Sequence, residues 1–196
     1  RHSMLRVVLP VLVALAIALV GGAWSVRYAL DRGFGIEALT SGPWRAFPDL
    51  GTPDASAYAR AVVARRGELP LGRAEGLAFQ AAADSSGALL ERDCTYRIIG
   101  EMPAARFWTL YVADHSMAPL AATGIREARL QSSSVLHEPD GAVIVTASPH
   151  PMPGNWLPLS GSGHMTLVLG LYDTPVASST EISRVVLPRI SKLGCE

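Results

Sequence analysis

The chain has 196 residues, 17 of them basic and 17 acidic, and 49% of its side chains are apolar. A neutral balance lacks the basic field on which nucleic-acid binding depends. The apolar share is too high for a disordered tail, and two cysteines are too few for a disulfide-dense miniature scaffold.

Val7 to Ala23 carries no charge and follows Arg1 and Arg6. Extended by Trp24, Ser25 and Val26, it approaches the roughly 20 residues that cross a hydrocarbon core of about 30 Å. Trp24 and Tyr28 suit a membrane interface, and a helix starting around Leu5 to Pro10 would place Pro10 where a missing amide costs least. We therefore expect residues 1–30 to be an anchor that enters the lipid bilayer through residues 7–26. A cleavable secretory signal shares the basic start, the apolar middle and small residues such as Gly21, Gly22 and Ala23. It stays open as the alternative, and both readings predict export. A short basic head before a first apolar segment stays in the cytoplasm while the domain behind it is translocated. That expectation places the chain in a bacterial inner membrane, N-terminus cytoplasmic, with the rest in the periplasm.

The exported part, about 165 residues, is enough for one core and too little for two. Residues 31–52 carry Gly33, Gly35, Gly42, Pro43, Pro48 and Gly51 and read as an irregular connector, in which Trp44 and Phe47 either touch the interface or plug into the core. Thr52-Pro53-Asp54 offers an N-cap, a proline at the first helical position and an early acid. With Tyr58, Ala61, Val62 and Arg65 at helical spacing, it predicts one amphipathic helix over 53–66, stopped by Gly67. Residues 53–196 form the exported domain.

After Gly76 the pattern changes to short runs of Val, Ile, Leu, Tyr, Phe and Thr between Gly, Pro, Asp and Ser clusters. Strands are predicted near 76–83, 94–101, 106–114, 126–136, 142–148, 164–172 and 181–187. Pro139-Asp140-Gly141 is a turn signal, because Asp and Gly tolerate positive backbone angles. The fold class is mainly β, a jelly roll or β-sandwich with one helix behind a single transmembrane helix. Cys94 and Cys195 are the only cysteines, and an even pair in an oxidising compartment reads as a disulfide.

Phe107-Trp108-Thr109-Leu110-Tyr111, Asp140-Gly141, and Pro153-Gly154-Asn155-Trp156-Leu157-Pro158 followed by Leu167-Val168-Leu169-Gly170-Leu171-Tyr172 occur in that order. In this order they resemble the bacterial domain-of-unknown-function family twelve-fourteen over about residues 75 to 175. The resemblance implies a jelly-roll fold and brings no mechanism. This sequence departs from the family at Gly170, where the family commonly has Arg in a Leu-Arg-Leu-Tyr strand. It reads as a short membrane-anchored form without the partner domain that often precedes the family's domain in longer relatives.

Signals for chemistry are sparse. His137, His150 and His164, with Glu138 and Asp140 nearby, match no compact ligand spacing, so no metal and no cofactor is expected. Ser132-Ser133-Ser134 and Ser160-Gly161-Ser162-Gly163 do not form the Gly-x-Ser-x-Gly elbow of hydrolases. The remaining candidate is 149–158, stiffened by four prolines. It would display His150, Asn155 and Trp156 for binding a sugar, a peptide or a partner subunit, or instead fold Trp156 back as a seal with Asn155 bonded to local backbone. The sequence points to a non-catalytic binding or accessory role beside a membrane protein or a second copy. The alternative is an envelope enzyme using His150 or His164 with Asp140 as acid and base.

Overall fold

The computed structural model describes residues 2–31, 38–67, 69–121, 127–178 and 185–195. Two compact units are present: one of Arg1–Ile36 with Ala55–Glu68, the other of Glu37–Asp54 with Leu69–Glu196.

The first unit is helical. Helix α1 spans His2–Asp31, and its stretch Val8–Tyr28, 21 residues of mean hydropathy 2.2, is long and apolar enough to cross a membrane and has none of its side chains buried. Because α1 begins at His2, Pro10 lies inside the helix rather than at its start. The backbone group that Pro10 leaves unpaired is a local cost that membrane helices tolerate. Helix α2, Ala57–Arg66, starts later than expected: Ser56, not Thr52, is the N-cap, its hydroxyl accepting the Ala59 amide at 3.1 Å. The Thr52 hydroxyl instead donates to the Asp49 carbonyl. Gly67 ends α2 in the left-handed region, as its lack of Cβ allows. The buried residues are Ala59 and Val62, while Tyr58 is exposed, so of the expected face Val62 turns inward and Tyr58 outward.

The second unit is mainly β, as expected. Its strands are β1 Leu39–Ser41, β2 Trp44–Ala46, β3 Gly76–Ala81, β4 Cys94–Gly100, β5 Phe107–Ala113, β6 Arg129–Gln131, β7 Val143–Ser148, β8 Asn155–Pro158, β9 Thr166–Tyr172 and β10 Arg189–Cys195. They make a six-stranded sheet, β1-β2-β3-β9-β5-β6, and a four-stranded one, β10-β4-β7-β8. Every pairing is antiparallel except β7 with β8.

Alternation along the strands assigns the faces. Leu77 and Phe79, Trp108, Leu110 and Val112, and Leu167, Leu169 and Leu171 point from the larger sheet into one core. Tyr96, Ile98, Val145, Leu157 and Ile190 meet them from the smaller sheet. Cys94 and Cys195 stand opposite each other where β4 pairs with β10 and are joined by the expected disulfide.

Three stretches differ from the sequence reading. Residues 39–46 form the β1–β2 hairpin, and Trp44 is 1% exposed, its indole N–H donating to the Pro188 carbonyl at 2.8 Å. Trp44 is thus a core residue, whereas Phe47 is half-buried. Of the strand expected over 126–136, only Arg129–Gln131 is extended, residue 126 lying outside the described residues. Residues 185–188 are not a strand and 181–184 lie outside the described residues. The last strand is β10, whose Ile190 enters the core.

β3 and β5 leave the sheet through the same turn. Asp84 Oδ1 accepts the Ser86 amide, the Ser86 hydroxyl and the Ala88 amide at 2.8, 2.6 and 3.0 Å; Asp114 accepts from Ser116 and Ala118 at 2.8, 2.7 and 3.0 Å. The Ser86 hydroxyl, helped by the amides, holds the Asp84 carboxyl below its ordinary 3.8, against the opposing pull of burial. A depressed carboxyl stabilises the fold above its unfolded pKa and loses that contribution as pH falls through the folded value. Asp84→Ala is therefore expected to lower Tm at neutral pH, with a gap from wild type that closes below about pH 4. Thermal melts of both proteins across that range check this, and a gap that stays constant on acidification would contradict it.

Candidate binding groove

The segment expected as a rigid display loop is partly a strand. Asn155 to Pro158 runs parallel to β7 as β8, with Val145 opposite Asn155 and Thr146 opposite Trp156. Asn155 is 9% exposed, and its Oδ1 accepts the Leu136 amide at 2.7 Å. Its Nδ2 donates to the Leu136 and Ile144 carbonyls at 2.8 and 3.0 Å. This one amide fastens the chain before β7 to the edge strand. Trp156, also 9% exposed, donates from its indole to the Ser148 carbonyl at 3.0 Å. The buried Ser148 hydroxyl accepts the His150 amide and bonds to Thr95 Oγ1. His150 and residues 151–154 are exposed above this base.

The other histidines are not drawn together. His137 and His164 are exposed on separate loops, and the His164 carbonyl accepts from Arg92 Nε. Asp140 is used locally, its carboxylate accepting the Ala142 amide at 3.0 Å in the predicted turn. Among the described residues, the group with metal-compatible spacing is Glu91, Cys94 and Cys195. Both of its sulfurs are already bonded to each other.

A different place has the shape of a site. The outward side chains of β5 are Phe107, Thr109 and Tyr111, each half-buried between core positions. The register sets Thr109 opposite Gly170, Gly170 opposite Ala78, and Phe107 opposite Tyr172. The middle row of the outer face is therefore low, with aromatic side chains on the rows either side.

The rings of Phe107 and Tyr172 have centroids 5.8 Å apart. A Cβ at residue 170 would stand 3.0 Å from Thr109 Oγ1 and 3.3 Å from both Cε2 and the hydroxyl of Tyr172. Tyr172 is thus folded back along its own strand over the glycine, an arrangement in which the ring shields bare backbone. The result is an open groove of about 380 Å³ lined by Thr109, Tyr111, Leu120, Glu127, Arg129 and Tyr172. Glu127 and Arg129 form an ion pair on its exposed rim.

Gly170 departs from the family pattern along its own strand, and its link to Thr109 exists only across strands. The signal was the alternation of Phe107, Thr109 and Tyr111 with Trp108, Leu110 and Val112, which gives the strand a second, semi-polar face.

The family whose model matches residues 75–176 is described as Protein of unknown function (DUF1214), and the match covers more than half of the chain. The chain belongs to the DUF1214 family. Its β strands from β3 to β9 fall within the matched span. The fold is shared with the crystal structure of the VPA0106 protein from Vibrio parahaemolyticus, at a TM-score of 0.57 and 17% identity over 71% of this chain and 36% of that one. A protein from Burkholderia cenocepacia aligns with a TM-score of 0.44 and 14% identity over 91% of this chain and 51% of that chain. The DUF1214 chain thus spans about a third of the first structure's length and about half of the second's. No curated protein matches it.

Proposed function

We propose that this DUF1214 chain is a single-pass inner-membrane protein of the bacterial envelope. Residues 1–30 anchor it, 31–52 connect, and 53–196 stand in the periplasm, where they bind a partner without catalysis as an accessory subunit. The observation that carries this reading is the 21-residue apolar stretch of α1, which has no buried side chain. Such a surface is costly in water and at home in lipid. The Cys94–Cys195 bond supports the periplasmic side, since structural disulfides persist in oxidising compartments. For the partner, a membrane protein or a second copy, the exposed stretch around His150, based on Asn155 and Trp156, is the protein-facing surface.

Carbonate-washed membranes, intact-mass analysis and mild-detergent purification of the full tagged chain test the proposal. The protein is expected in the detergent extract only, with its N-terminal segment retained. It is expected to carry a stoichiometric membrane protein or a second copy. That companion should be lost when residues 1–30 are replaced by a cleavable signal. A soluble protein cut near Ala23 would replace the anchor by a signal sequence, and a lone protein in mild detergent would overturn the accessory role.

A further inference from the structure

We infer that the groove beside Tyr172, between Thr109, Tyr111 and Arg129, is a saccharide site, a step that rests on reading the domain as a binding module and names the chemistry of one ligand.

The ligand class follows from what the groove offers and what it lacks. β5 and β9 are both interior strands, each paired on two sides. The edge beside them, β6, is only three residues long, too short for the run of backbone hydrogen bonds by which an extended peptide adds to a sheet. Arg129 is paired with Glu127, so the rim carries a donor and an acceptor together and no net charge with which to hold phosphate or another anion. The lining adds the hydroxyls of Thr109 and Tyr172, which both donate and accept, beside the rings of Tyr111 and Tyr172 and the side chain of Leu120. Hydroxyl groups around an apolar ring face are the complement of a neutral sugar. Its C–H face packs on an aromatic surface while its hydroxyls exchange hydrogen bonds with side chains.

The volume, about 380 Å³, is at the small end of ligand sites and suits a short saccharide. Gly170 is the positioning residue. By leaving 3.0–3.3 Å where a Cβ would stand, it allows Tyr172 to rest against the sheet between Phe107 and Thr109. The ring is then ordered before any ligand arrives, which reduces the entropy lost on binding.

The test uses the full chain in lipid nanodiscs, free of sugar-based detergents, titrated by calorimetry with chitotriose, maltotriose and cellotriose. At least one is expected to bind. Tyr172→Ala should weaken it about tenfold or more, a loss at the upper end of aromatic stacking. Gly170→Val should abolish binding by displacing the Tyr172 ring, whose Cε2 and hydroxyl a Cβ there would meet at 3.3 Å, in a protein that a thermal melt shows still folded at the assay temperature. Tyr58→Ala, an exposed tyrosine on α2, should change nothing. Failure of all three sugars to bind wild type, or wild-type affinity in either groove variant, overturns the inference. Capture of a membrane partner in the previous experiment is independent of these outcomes. A chain that captures its partner but binds no sugar keeps the accessory role and loses the saccharide site.

Discussion

Replacing Cys94 and Cys195 together by alanine is expected to destabilise the β unit by about 3–5 kcal/mol, the range for a bridge closing a loop of about 100 residues. The separation is 101 residues, so the bridge acts chiefly by limiting the unfolded chain. Its folded-state effect should be local. β10 is held at its start by Ile190, fully buried and registered against Ile98, whereas residues 191–195 are exposed. Without the bridge, amide exchange should rise first over 191–195 while Ile190 stays protected. Thermal unfolding with and without reductant, beside the double variant, checks the size of the effect. Equal midpoints in all three samples would show that the bridge adds nothing.

Trp156→Ala should cost about 3–5 kcal/mol, the usual loss for truncating a buried aromatic. The ring is 9% exposed, and its N–H satisfies the Ser148 carbonyl. Truncation therefore opens a cavity and also removes one of the two donors to the Ser148 carbonyl, which keeps the Leu159 amide at 3.0 Å. Trp156→Phe separates the two effects: it keeps most of the packing and should recover more than half of the loss. Chemical denaturation of the three proteins decides the matter. An alanine variant with the wild-type midpoint would return Trp156 to the role of an exposed recognition anchor.

Both predictions concern residues that could be chosen from the sequence, although their settings could not be read there. Asn155-Trp156-Leu157-Pro158 looked like loop because prolines are poor ladder members. Pro158 is tolerated in β8 at the edge of its sheet, and a parallel partner leaves no hairpin signal nearby. The β1–β2 hairpin was missed for a related reason. Its strands are three residues long and flank Gly42-Pro43, so no periodicity can develop, and Trp44 meets its partner Pro188 at a separation of 144 residues. β10 shows the same limit, because the exposed run from Ser191 to Cys195 carries little hydrophobic pattern.

By itself, the sequence determined what depends on neighbours along the chain. The uncharged run that becomes α1, the glycine stop of α2, the Asp140-Gly141 turn and the strands around Ile98, Leu110, Val145 and Leu169 all follow from local backbone preference and the period of apolar residues. The pair of cysteines was legible too, since the two thiols of the sequence have only each other to bond with inside the chain. Tertiary structure alone decided which segments became neighbours: β8 beside β7, Trp44 beneath Pro188, and Gly170 between Thr109 and Ala78 with Tyr172 folded over it. The reason is physical. Strand pairing depends on long-range register, and register is a property of two distant segments at once, so a groove made from three strands has no counterpart in the order of residues along any one of them.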